Sequence, residues 1–297
     1  MNKNNLFTLF QFLLLAIYTG IASAQNPQPF ADAHIHYNWD QAEIISAQAV
    51  VKILAKRNVG LTLVSATPSH LALELREAGG DWIVPFFSPY THALGRHDWY
   101  RNQSVVEQAA SGLAQGLYFG IGEIHFMVGF LPRPDNAIFL QLMALAGQHR
   151  VPALIHVDAA NDGFFLGICK AHPQVRIMFA HAGGNLKPPH IRSILEQCPN
   201  VWIDFAARDD WRYGGLTDAN SLLLPAWKQL VLDFPNRFVT GTDPVWRVTR
   251  TQSWDQADDG WDYYDLLFNY HQTWLADLPA NVRQKIAWDN VRQLLEK

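Results

Sequence analysis

Ala31-Asp32-Ala33-His34-Ile35-His36 closes an apolar run that begins at Phe30, and the reading of this stretch decides the reading of the chain. Side chains of an extended strand alternate faces, so His34 and His36 point the same way, one pleat repeat apart, and two imidazoles can share one metal ion. Taken alone, the pair is better explained as two polar residues at a strand end. Its weight comes from the strands that follow. Seven more short apolar runs, rich in Val, Ile, Phe or Trp, start near Leu61, Trp82, Leu117, Pro152, Arg176, Val201 and Arg237. Glu123 closes the fourth after Gly120-Ile121-Gly122, His156 the fifth, His181 the sixth and Asp243 the eighth.

Between these runs, Gln41 to Arg57, Val105 to Gln115, Asn136 to Arg150, His190 to Gln197 and Asp218 to Asp233 carry apolar residues at helical spacing. Strands alternating with helices specify parallel strands joined by right-handed crossovers. Eight such units predict an α/β fold, a (β/α)8 TIM barrel over residues 25–297, close to the roughly 250 residues typical of that fold. A doubly wound open sheet gives the same alternation, but no Gly-x-Gly-x-x-Gly follows the first strand. In a barrel the carboxyl ends of the strands form one working face, so the recurring His, Glu and Asp converge there. The longest irregular stretches, Ser88 to Asn102 and Val245 to Asp262, fall on that face as substrate loops.

The chain has 297 residues, 49% hydrophobic and 17% charged, a composition that drives compaction and excludes disorder. A formal charge of −4 with scattered Lys and Arg gives no footprint for nucleic acid, which leaves a small molecule as the expected partner. Residues 1–24 read as a secretory signal peptide: Lys3, an apolar run from Leu6 to Ile17, and Ala22-Ser23-Ala24 before Gln25. The apolar run is short of the roughly 20 residues that span a bilayer, so the expectation is a periplasmic or secreted protein without a stable membrane anchor. An oligomer is compatible with the sequence. Cys169 and Cys198 are an allowed pair in an oxidising compartment, each at the end of a helix that precedes a strand; two separate buried thiols are the other reading.

Nitrogen and carboxylate ligands of the kind Zn²⁺ and related ions accept are thus delivered to one place. His-x-His on strand one, a carboxylate on strand four, His on strands five and six and Asp on strand eight resemble the amidohydrolase superfamily. Closer wording resembles its amidohydrolase-related (amidohydrolase 2) branch: Ala171-His172-Pro173, Phe179-Ala180-His181-Ala182-Gly183-Gly184, Cys198-Pro199-Asn200-Val201-Trp202-Ile203-Asp204, Arg237 through Pro244, and Leu278-Pro279 through Asn290. The resemblance implies His34, His36 and His156 as ligands of a first metal, with Asp243 completing the site and accepting the proton of the bound water. It implies His181 as a second-metal ligand or as the group that polarises the substrate. Glu123 stands where many relatives carry a carboxylated lysine and some a bridging Glu, which leaves one ion or two open; His125 lies on the same strand face.

The loop residues Tyr90, His92, Arg96, Arg208 and Trp246 are candidate substrate contacts, and an arginine there suits a carboxylate or phosphate. His149, His172, His190 and His271 fall on or beside helices, as surface or capping residues. The resemblance implies a metal-dependent hydrolase acting on an amide, ester, lactone or related bond. Its rivals are a metal-dependent decarboxylase with the same ligands and a non-catalytic periplasmic binding barrel, for which a proton acceptor at Asp243 would be superfluous.

Overall fold

The structure, a computed structural model, describes residues 29–92, 95–245 and 256–296; the expected signal peptide and Trp246 lie outside them. Eight parallel strands are found among the described residues, each close to an apolar run of the sequence: β1 Phe30–His36, β2 Val59–Ser65, β3 Ile83–Phe86, β4 Ile121–Met127, β5 Ala153–Asp158, β6 Ile177–Phe179, β7 Val201–Asp204 and β8 Phe238–Val239. They form two sheets, β1 to β3 and β4 to β8, in sequence order. Backbone bonds close the wall at both seams: Phe87 N–H donates to Gly120 O at 2.8 Å, and Ala33 N–H donates to Thr240 O at 2.8 Å.

The helices are α1 Trp39–Ala42, α2 Ala47–Lys56, α3 His70–Gly79, α4 Gln103–Ala114, α5 Ala137–His149, α6 Asp162–Ala171, α7 Pro188–Gln197, α8 Pro225–Asp233 and α9 Tyr264–Ala276. Three differ from the sequence expectation for local reasons. The single helix expected over Gln41 to Arg57 is broken, because the Ser46 side chain accepts from Ala49 N–H and starts α2 afresh. The helix expected from Asp218 begins only at Pro225, which suits a first helical position, after Thr217 and Leu223 pair as an antiparallel bridge. The segment after β2 is the helix α3, headed by His70, an exposed residue 3.8 Å from Glu74.

Odd and even strand positions serve different layers. Ile155, Ile177, Phe179, Val201, Ile203 and Phe238 face the helices, while Ala31, Leu63, Val84, Leu154, Met178, Trp202 and Val239 fill the barrel interior. Val291 and Leu294 of the C-terminal helix Asn290–Leu295 join that inner cluster, and Asn290 donates to Phe238 O at 2.8 Å, so this helix stops the amino end of the barrel. The other end is left for chemistry. Cys169 of α6 and Cys198 at the end of α7 form a disulfide with a Cα separation of 6.1 Å. No helix among the described residues is long and apolar enough to cross a membrane.

Candidate metal centre

Plain alternation would not aim the candidate side chains inward, and two bulges correct it. In β1 the partners run Asp32 with Thr62 and then Ile35 with Val64, three residues against two. The extra residue lets Ala31 and Ala33 fill the interior and still turns His34 and His36 inward, with Ile35 facing the helices. In β4, Ile121 pairs with Ala153 and Ile124 with Ile155, again three against two, and Glu123 turns in between two outward isoleucines. Gly122 makes this possible: at φ +137°, a Cβ there would lie 2.4 Å from Leu154 O. His181 (φ 57°), Ala182 (φ 48°) and Asp243 (φ 50°) all sit in the left-handed region, costly for residues with a Cβ and concentrated where ligands leave the strands.

His34, His36, Glu123, His156, His181 and Asp243 come together, all buried. Each of the four imidazoles has one ring nitrogen tied to an outer acceptor. His34 Nδ1 donates to Asp204 Oδ2 at 2.6 Å, His36 Nδ1 to Ser65 O at 2.8 Å, His181 Nδ1 to Ala206 O at 2.9 Å and His156 Nε2 to Asp158 Oδ1 at 2.9 Å. A carbonyl or carboxylate oxygen only accepts, so in His34, His36 and His181 the proton of the neutral ring sits outside and a lone pair points in, while His156 meets a carboxylate oxygen on each side, Asp158 Oδ1 outside and Glu123 Oε1 inside. The inward nitrogens then face each other: His34 Nε2 and His36 Nε2 are 3.1 Å apart, as are His181 Nε2 and His156 Nδ1.

Glu123 divides them. Its Oε2 lies 3.6 Å from His34 Nε2, 3.3 Å from His36 Nε2 and 3.4 Å from His125 Nε2, while its Oε1 lies 3.0 Å from His156 Nδ1 and 3.4 Å from His181 Nε2. Asp243 Oδ1, 3.5 Å from His36 Nε2, is buried without a hydrogen-bond partner. The inward nitrogen of His156 therefore faces His181 and the second oxygen of Glu123, rather than joining His34 and His36. Lone pairs and carboxylates converging at 3.0 to 3.6 Å fit a divalent cation of the Zn²⁺ type, and Glu123 has one oxygen for each of two subsites.

Electrostatics agree with that donor set. Burial opposes charge on His34, but the carboxylates of Glu123 and Asp204 outweigh it and hold the ring well above its ordinary value. Burial opposes charge on His156 too, and its bonds to Asp158 and Glu123 still push it up to about 9. Burial works against ionised Glu123, yet His125 and His34 hold it well below the usual carboxylate range. The site's negative charge draws protons, and a cation bound there displaces them.

The remaining sequence candidates fall at different distances from this cluster. The Tyr90 hydroxyl lies 2.7 Å from His125 Nδ1 and accepts from His125 N–H at 2.8 Å, and Arg96 stacks 5.8 Å over the Tyr90 ring, so both reach the edge of the site. His92 is an exposed loop residue 3.4 Å from Asp98. Arg208, a candidate substrate contact, is buried against Trp227. His271 is a buried residue of α9 that burial pushes down to about 4; its Nδ1 accepts from Trp274 Nε1 at 3.2 Å.

The sequence reading assigned no role to several residues that hold the ligands. Asp204 ends β7 as Asp243 follows β8, and the strand-end rule reaches it directly. Asp32 faces outward and accepts from Thr242 N–H, Thr242 Oγ1 and Tyr264 Oη, fastening the chain before Asp243 to β1. Arg212 bonds Asp209, Asp243 O and Thr242 O, and its Nη1 lies 3.5 Å from Asp243 Oδ2. The Tyr213 hydroxyl is 3.4 Å from His156 Nε2. Arg212 and Tyr213 lie in irregular chain, where no periodicity singles them out.

A family model described as "Amidohydrolase" matches residues 31–297. The fold is similar to that of an amidohydrolase from Burkholderia multivorans solved with bound zinc, at 15% identity and a TM-score of 0.57, over 90% of this chain and 99% of that one. It is also similar to a point variant of organophosphorus hydrolase from Deinococcus radiodurans (14%, TM-score 0.60, 90% and 92%) and to 2,6-dihydroxybenzoate decarboxylase in complex with 2,6-dihydroxybenzoate (11%, TM-score 0.53, 91% and 99%). No curated protein matches the chain by sequence.

Proposed function

From its membership of the amidohydrolase family, shown by the match over residues 31–297, we propose that the protein is a metal-dependent hydrolase cleaving an amide, ester, lactone or related bond of a small molecule. The observation that carries this reading is the set of four imidazoles around Glu123, each with one ring nitrogen held by an outer acceptor and the other turned inward. His34, His36 and Asp243 would hold one ion, His156 and His181 a second, with Glu123 between them. A divalent ion bound there would lower the pKa of water to about 7 and polarise the scissile bond.

The chain's own residues supply proton handling and order. Burial opposes ionisation of Asp243, but His34, His181 and Arg212 outweigh it and keep the carboxylate charged. Its partner-free Oδ1 can take the proton of the attacking water and pass it to the leaving group, help worth about 10² to 10⁴ in rate. Arg212 holds the other oxygen and the backbone carbonyl, so the base keeps its aim through the cycle.

Export to an oxidising compartment is proposed with this function. The pattern of residues 1–24 supports it, and so does the disulfide, since disulfides persist outside the cytosol.

Elemental analysis of purified protein should find Zn²⁺ or a similar ion, and His34→Ala or His36→Ala should strip it. Activity on a panel of lactones, esters, amides and phosphoesters should vanish on chelation and return with metal. Wild-type protein active while metal-free would overturn the reading, and carbon dioxide released in place of a hydrolysis product would replace hydrolysis with decarboxylation.

A further inference from the structure

Arg208 is 1% exposed, yet its Nε and Nη1 are buried with no hydrogen-bond partner. Its face is covered by Trp227, with Cζ 5.2 Å from the ring, but stacking leaves the edge donors unused. Burial drags its pKa down to about 10. Arg212, four residues on, is the contrast: it is buried too, and Asp209 with the carbonyls of Thr242 and Asp243 takes up its donors. A desolvated cation with idle donors destabilises a fold, and a native protein keeps one where an anion completes it.

Beside Arg208 the backbone carries no side chain. Gly215 (φ +68°) turns a bare face to it, and a Cβ there would start 3.7 Å from Arg208 Nη2 and 3.6 Å from Lys187 Nζ. Two cations thus flank one bare glycine. Lys187, exposed just before α7, forms no ion pair among the described residues. Trp227 fixes the arrangement from behind, donating from Nε1 to Gly215 O at 2.8 Å while stacking on the guanidinium. Tyr213, two residues before Gly215, reaches the histidine cluster, with its hydroxyl 3.4 Å from His156 Nε2 and its ring 5.4 Å from that of His181.

We propose that Arg208 and Lys187 bind a carboxylate carried by the substrate away from the bond cleaved, so that the substrate is a small organic acid lying across Tyr213. A carboxylate offers two oxygens in the plane of the guanidinium edge, and Lys187 contributes a second charge at the rim. The proposal rests on the histidine and Glu123 cluster being the reacting centre, and its test separates the two.

The probes are glutarate and phthalate, each compared with its dimethyl ester, titrated calorimetrically into metal-loaded and metal-stripped protein at low chloride. Wild-type protein should bind a diacid and not its ester in both forms. Arg208→Gln, checked for folding by circular dichroism, should weaken binding by about tenfold or more, and Lys187→Gln by a smaller factor. If Arg208→Gln does not fold, Lys187→Glu, which places a negative charge at the exposed rim, must abolish binding. Equal binding of acid and ester, folded Arg208→Gln binding like wild type, or a response to phosphate or chloride alone would overturn the proposal. Diacid binding by a protein that takes up no metal would keep this subsite and remove the hydrolase reading. Metal-dependent turnover of a neutral ester by a protein that binds neither diacid would do the reverse.

Discussion

Asp204→Asn is the sharpest test of how the histidines are held. Asp204 is fully buried, with Oδ2 2.6 Å from His34 Nδ1 and Oδ1 accepting from Ala206 N–H at 2.7 Å. Asparagine fills the same volume, so no cavity forms and the backbone bond can survive. Two things change. The negative charge behind the ring is lost, and the amide nitrogen can turn toward Nδ1 as a donor, moving the ring proton to Nε2 and closing the lone pair that points into the site. Outer partners of metal-binding histidines carry about 10- to 100-fold in affinity, which is about 1.4 to 2.7 kcal/mol. Acid softens the effect: Asp204 and Glu123 hold His34 above its ordinary pKa, so metal must displace a proton there, and removing Asp204 weakens that competitor. Competition for Zn²⁺ against a chromophoric chelator at pH 8 and pH 6 should show the full loss at the higher pH and a smaller one at the lower. A folded variant binding metal as tightly as wild type at pH 8 would refute the orienting role. Complete loss of metal would instead make Asp204 a ligand, since its carboxylate and ring nitrogens of His34 and His181 lie within 4.8 Å of one another.

Asp243→Asn keeps the shape and one oxygen donor but removes the base, so kcat per metal-loaded enzyme should fall by about 10² or more while much of the metal stays; near-wild-type turnover would move the proton role to His181 or His125. The Cys169–Cys198 disulfide spans 29 positions, and a loop of that length is worth about 3 to 4 kcal/mol on chain entropy, so Cys169→Ala/Cys198→Ala should lower the urea midpoint clearly, with an m-value equal to or above that of wild type because the unfolded chain expands. An unchanged midpoint would leave the disulfide without a stabilising role. Mass spectrometry of protein from the native host should find Gln25 at the amino terminus, and an intact Met1 would reject export by cleavage.

The barrel and the convergence of the candidate residues were legible because both rest on repetition. Eight apolar runs, most ending on His, Glu or Asp, carry the same message several times, and one misplaced boundary, such as Leu117 for a strand that starts at Ile121, does not damage it. Local interruptions were harder. Ser46 ends one helical pattern and starts another with no change in apolar spacing, and α3 was missed behind the turn-like Thr67-Pro68-Ser69. The bulges at His34 and Glu123 leave no trace in composition, because they are set by how far a neighbouring strand has advanced, a property of pairs of strands. Arg208 shows the same limit at the site. Its position after β7 marked it as a loop cation, but its burial depends on Trp227, which is distant enough in sequence to escape any local pattern.

The two-sheet wall has a consequence for how the molecule comes apart. His34 and His36 belong to the sheet of β1 to β3, while Glu123, His156, His181 and Asp243 sit on or just beyond strands of the other. An ion shared by these residues would cross-link the two sheets in addition to the backbone bonds at their seams, and its binding free energy would be drawn on whenever the seam between β8 and β1 opens. At a free metal concentration 1,000 times Kd that linkage amounts to about 4 kcal/mol, set against a net stability of about 5 to 15 kcal/mol for an ordinary fold. A chelator would then act on this protein as a denaturant as well as an inhibitor, and the metal supply of its surroundings would govern how long a folded molecule lasts.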